Sequence, residues 1–162
     1  MQLPGDAPSG EDLAAVTELI GRVPQGEFRV VVRSHHGEPV VLLNAPLLDD
    51  GTPMPTLYWL VGRTEVHGVS QLEADGGVDQ VEELIGLEAI DVIHQQYMAT
   101  RDALLPVSHT GHRPSGGVGG TRRGVKCLHA HLAHWLAGND DVVGAWVAEQ
   151  LDTRGVKRAK RI

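Results

Sequence analysis

Apolar and polar positions divide the chain into a first third with strand-like patterning and a remainder with helical periodicity. Residues 13–20 put Leu13, Val16, Leu19 and Ile20 on one helical face, with Asp12 as a cap and Gly21 and Pro24 as the stop. Three short apolar, partly β-branched runs follow, at 28–33, 38–44 and 56–61. The first two are joined by a hairpin-length SHHG, and the third is set off by the Asp50-Gly51 turn and by Pro53 and Pro55. The run at 38–44 lacks alternation, which predicts burial on both faces. Helical spacing then takes over. Val66, Val69 and Leu72 predict a short helix that ends at Gly76-Gly77, and Asp79 with Glu82 has the spacing of a capping box for the next one. A longer helix over 87–105 stops at Pro106, with Ile90, Ile93, His94, Tyr97, Met98 and Arg101 on one side. After an aperiodic stretch over 106–124, Val125, Leu128, Leu132, Trp135 and Leu136 form the stripe of another helix, and a last one covers 142–151. The fold class expected is α+β: a small three-stranded antiparallel sheet, covered on one face by the C-terminal helices. It forms a single domain over 13–152, between a disordered start (1–12) and a basic tail (153–162).

Composition narrows the functional classes. No apolar run reaches the roughly 20 residues of a membrane span, and the acidic start lacks a signal peptide's pattern, so a cytoplasmic protein is expected. One cysteine forbids an internal disulfide. The net charge of −7 is unevenly spread. Residues 1–112 hold 5 Lys/Arg against 17 Asp/Glu, and residues 113–162 hold 9 against 4. The basic third either neutralises the acidic body or faces an external anion; the tail offers a route to nucleic acid.

Candidate chemistry gathers in 114–136, PSGGVGGTRRGVKCLHAHLAHWL. Ser115, Gly116, Gly117, Gly119, Gly120 and Thr121 offer backbone and hydroxyl donors, and Arg122, Arg123 and Lys126 offer charge, just ahead of a helix N-terminus. With His129, these residues make a site for a phosphate-bearing small molecule the leading expectation, with Glu73 and His94 as acid–base or orienting groups. Neither a GxxxxGK[ST] loop nor a GxGxxG loop occurs. On a helix starting at Val125, Cys127, His131 and His134 share one face. Cys127 and His134 would then lie about 10.5 Å apart along the axis, too far for one zinc ion, so only adjacent pairs can share a metal, completed by donors such as His35, His36, His109 or His112. For a nucleophilic Cys127, that helix leaves His131 as the base, because i+2 points away. A zinc-binding domain or hydrolase is therefore one alternative. A regulatory or interaction module with a protein partner is another.

The runs DGTPMPTLYWL, SQLEADGG, the His94–Tyr97 helix ending ATRDAL, and GVKCLHAHLAHWLAGNDDVVG resemble the bacterial domain-of-unknown-function family 501, over about residues 28–150. The family has no assigned activity. The resemblance implies weight for Asp50, Gly51, Pro53, Thr56, Tyr58, Glu73, His94, Lys126, Cys127, His129 and His134, but not for His131. It also implies partners tied to phosphate handling and cell division. Relatives often carry cysteines in the hairpin and a Cys or His near the end of the third strand, where this chain has Ser34, His36 and Gly62. A divalent metal such as zinc, held between the hairpin and the KCLH helix, would then leave His36, Cys127 and His129 as the remnant of its site, with His134 a further candidate.

Overall fold

In the computed structural model, which describes residues 2–162, the hairpin forms where the apolar runs place it. Strands β1 (Phe28–Arg33) and β2 (Pro39–Asn44) pair antiparallel, and β3 (Tyr58–Leu60) joins the far side of β2, giving the order β1-β2-β3. Gly37, at φ 82°, takes the left-handed corner of the turn that side-chain-bearing residues avoid. The Ser34 hydroxyl accepts from the amides of His36 and Glu38 there. Six helices complete the chain: α1 (Gly10–Ile20), α2 (Arg63–Ala74), α3 (Gly77–Ile85), α4 (Leu87–Asp102), α5 (Leu128–Leu136) and α6 (Val142–Thr153). The fold is α+β, with the C-terminal helices packed on the sheet.

Every residue of β2 is buried, as its unbroken apolar run predicts, because the sheet is covered on both faces: a second cover, α1, adds to the C-terminal helices that were expected on one face. On one side Val16 of α1 packs with Phe28, Leu42 and Val61. On the other, Val41 and Leu43 join a core with Leu72, Ile90, Tyr97, Leu128, Leu132, Val147 and Leu151. The N-terminal cover starts earlier than its apolar spacing suggests. Ser9 and Asp12 form a reciprocal capping box, so α1 begins at Gly10 and Asp12 is its third residue. The segment 1–12, expected to be disordered, is anchored from Leu3 onward: Leu3 is buried, and Arg29 Nε donates to Gly5 O at 3.1 Å. Met1 lies outside the described residues.

The basic tail also folds back. The amide of Ala159 donates to Glu65 Oε1 at 2.7 Å, and that of Ile162 donates to Leu136 O at 3.0 Å. Arg158 and Arg161 lie 5.3 and 5.4 Å from the Trp135 ring centre, at cation–π distance. Glu65 is only 3% exposed, so removing the tail strips a buried carboxylate of its amide partner. Truncation after Thr153 is expected to lower the unfolding free energy in urea by about 1–3 kcal/mol. An unchanged midpoint would mean that the tail contributes nothing to folding.

The long connection over 106–124 is fixed by side chains from α3 and α4. His94 accepts from the Val118 amide through Nδ1 at 3.0 Å and donates through Nε2 to Gly124 O at 2.7 Å, so its tautomer is set and neither nitrogen is free for proton transfer. Arg101, 1% exposed, donates to Gly116 O at 2.7 Å and to Pro55 O and Pro114 O at 3.3 Å. Glu82 accepts from the Val125 amide instead of closing a capping box with Asp79, and α3 has no side-chain cap. Gly117 passes so close to His94 that a β-carbon there would collide with the ring. Gly117→Ala is expected to cost about 1–3 kcal/mol, read from the urea midpoint.

Candidate metal centre

The site is assembled where the end of α2 meets the start of α5. The apolar stripe predicts a helix from Val125, but the backbone is still extended at Cys127 (φ −148°, ψ 116°), and α5 begins at Leu128. That shift of three residues changes the chemistry. Cys127 is the residue before the helix, so helical spacing does not separate it from His129, and the two meet with Sγ and Nδ1 3.6 Å apart. The base expected for Cys127, His131, is buried elsewhere. From α2, Glu73 Oε1 reaches His129 Nδ1 at 2.8 Å and accepts from the Leu128 amide at 3.0 Å. A carboxylate of the protein itself thus occupies the positive end of α5.

Glu73, Cys127 and His129 each offer one donor atom, and the three atoms lie within 4.8 Å of one another. All three residues are partly exposed. The other ring nitrogen of His129, Nε2, faces Val66 O at 3.3 Å and Ser70 Oγ at 3.1 Å. A carbonyl only accepts, so Nε2 carries the hydrogen. The lone-pair side of the ring, Nδ1, therefore confronts a carboxylate oxygen and a sulfur together, an arrangement that needs a cation between them, a proton or a metal. Burial pulls the pKa of His129 down, but the neighbouring Cys127 sulfur and the Glu73 carboxylate outweigh it, and the net displacement is upward. A proton held this way stabilises the fold fully below the ordinary histidine value, and that contribution is lost as pH rises through the higher folded value.

The other candidate positions separate from this cluster. His131 and His134 do not share an exposed face with Cys127: both are buried, and both donate from Nδ1 to Asp141, at 2.8 and 2.9 Å. His36 lines a groove of about 820 Å³ at the opposite end of α2, along with Ser34, Gly62, Glu38 and Arg63. Ten residues of helix, about 15 Å, separate Arg63 from Glu73, so the set of His36, Cys127 and His129 is not brought together.

In the glycine-rich loop some of the donors expected for an anion are spent internally. The Gly117 amide donates to Thr121 O and that of Gly120 to Gly117 O. Val118 is bonded to His94, Arg123 to the Thr121 hydroxyl and Leu128 to Glu73. Gly116 is buried, with its carbonyl on Arg101, whereas Ser115 is exposed. Gly119 runs beside the site: a β-carbon on it would lie 3.5 Å from Cys127 Cβ and 3.6 Å from Lys126 Cβ. Arg122, Arg123 and Lys126 are exposed, and none makes an ion pair among the described residues. Sequence reasoning missed Ser70, Arg101 and Asp141. Each had a signal: Ser70 and Glu73 stand at i and i+3 in SQLE on one face of α2, Arg101 lies on the apolar side of α4, and Asp141 is a cap-type residue just ahead of α6.

The fold and the cluster together define an α+β protein with a Glu–Cys–His group seated between two helix ends, and no helix among its described residues is long and apolar enough to cross a membrane. The chain belongs to the family described as "Protein of unknown function (DUF501)", which matches residues 30–149. No curated protein and no solved structure matches it.

Proposed function

We propose that Glu73, Cys127 and His129 bind one zinc ion, and that this centre is the working site of the protein. The observation that carries the reading is the convergence of a sulfur, an imidazole nitrogen and a carboxylate oxygen within 4.8 Å, with two of them crowding a single ring nitrogen. Tetrahedral zinc with bonds of about 2.0–2.3 Å spaces its ligands by roughly 3.5 Å, and the Cys127–His129 separation of 3.6 Å is already close to such an edge. A mixed S, N, O set suits zinc better than the hard cations, which prefer oxygen alone. The hydrogen bond from His129 Nε2 to Val66 O is the outer contact expected of a ligating histidine: it orients the ring and leaves Nδ1 free for the metal.

Three protein ligands leave a fourth position open, the pattern of catalytic zinc. Zinc in such a site supplies a water acidified to near neutral pH and a Lewis acid for a polarised oxygen, so hydrolysis is the reaction class. In this reading Cys127 binds as thiolate and Glu73 as carboxylate, and His129 exchanges the proton on Nδ1 for the metal.

Zinc titration of chelator-treated protein tests the proposal. One equivalent is expected to bind, with Cys127→Ser and Glu73→Gln each weakening it by at least about 10-fold. Affinity should climb as pH rises, because zinc must displace the proton that His129 holds. Equal affinity in Cys127→Ser, or no binding by the parent protein, would reject the site.

A further inference from the structure

We infer that the open face of this centre takes a phosphate-bearing ligand, held against the metal by Arg122, Arg123 and Lys126; the inference rests on the zinc reading. The first observation is a contrast in charge pairing. Arg29, Arg33, Arg63, Arg101, Arg154, Arg158 and Arg161 each have a carboxylate partner within 4.0 Å. Among the described residues the three cations that precede Cys127 have none; Arg22, Arg113, Lys157 and Lys160 have none either, but only these three stand exposed within five positions of one another.

The second observation is that their loop is not slack. Its backbone is bonded to His94, Glu82 and the buried guanidinium of Arg101. The repulsion among three like charges is thus maintained on a fixed support. The third is the gap left by Gly119. Its missing side chain would meet Cys127 Cβ and Lys126 Cβ at nearly equal distance, so the starts of the Lys126 and Cys127 side chains border the same small space.

The open coordination position makes the two ligands interdependent. Without metal, the Glu73 carboxylate is bonded to His129 and the cluster offers an oxyanion no Lewis-acid position. Zinc with one thiolate, one carboxylate and one neutral imidazole sums to zero, so the centre does not itself repel an anion, and the three exposed cations add to the attraction of the metal. An oxyanion can fill the fourth coordination position while the guanidinium groups bond its remaining oxygens. Glu73, not the anion, takes the Leu128 amide, so that donor at the start of α5 is closed to the ligand.

The probe is inorganic phosphate, with a phosphate monoester and tripolyphosphate as arms that identify the source of the group. Each is titrated calorimetrically into the full chain, once metal-free and once loaded with one equivalent of zinc. Phosphate is expected to bind the zinc form at least about fivefold more tightly than the metal-free form. By reciprocity it should tighten zinc binding by the same factor, read in competition with a chelator at equilibrium, an effect that equal concentrations of chloride do not produce. The triple variant Arg122→Ser, Arg123→Ser, Lys126→Ser should keep zinc affinity and lose this enhancement. Because all three residues are exposed, the variant is expected to fold, as circular dichroism would show. Zinc binding with equal phosphate affinity in the two forms, or with the enhancement intact in the triple variant, overturns this inference and leaves the metal site standing. Failure to bind zinc removes both.

Discussion

Asp141→Ala lowers the unfolding free energy at pH 7 by about 3–5 kcal/mol, measured by urea titration. The side chain is fully buried and carries three loads. Its oxygens accept from His131 Nδ1 and His134 Nδ1, and Oδ1 also accepts from the Gly144 amide at 2.9 Å, capping α6. Alanine leaves two buried imidazole N–H groups without an acceptor and opens a helix start. His131 Nε2 is already a buried nitrogen with no partner, so the ring has nothing else to turn to. Burial alone would raise the carboxyl pKa, but the hydrogen bonds and charges of the two histidines hold it far below the usual carboxylate range. Its contribution is therefore present above the unfolded value, about 3.9, and lost as pH falls below it. Parent and variant stabilities should converge on acidification from pH 5 toward pH 2. A gap that stays constant over that range would show that the carboxylate charge is not what matters.

Arg101→Met should cost a similar amount, about 3–5 kcal/mol, by a different route. Methionine fills most of the volume but supplies no donor, and the carbonyls of Pro114, Gly116 and Pro55 lose their partner. The effect is expected to concentrate in the loop: limited proteolysis should cut the variant near Arg122 and Arg123 faster than the parent. Zinc affinity should fall only modestly, since no ligand touches Arg101. A variant as stable and as protease-resistant as the parent would contradict the assignment of Arg101 as the anchor of this segment.

Local patterning made the sheet and most helix positions legible. Apolar runs, the Asp50-Gly51 turn and Pro106 mark boundaries by steric rules that need no tertiary information. Pairwise spacing failed at α5, where the start depends on a partner 55 residues away. Glu73 takes the Leu128 amide and ends the helix there, and no feature of GVKCLH shows that in sequence. The mistaken start then put His131 and His134 on an exposed ligand face. A better clue was available, because LHAHLAHWL contains no Asp, Glu, Lys or Arg, and a helix without a charged face is buried all round. The second cover of the sheet was hidden for the opposite reason. Leu13 and Leu19 read as ordinary amphipathic positions, and nothing local says on which side of β2 their helix will lie. Of the candidate site, Glu73, Cys127 and His129 were each singled out, but the link between them is a fold-level contact.

X-ray absorption at the zinc edge, on the full chain loaded with one equivalent of metal, bears most directly on the proposed centre. One sulfur at about 2.3 Å with nitrogen and oxygen neighbours at about 2.0–2.2 Å is the shell that Cys127, His129, Glu73 and one exchangeable ligand would give. The sulfur scatterer should vanish in Cys127→Ser. A first shell of nitrogen and oxygen alone in the parent protein would place the metal elsewhere and contradict the account.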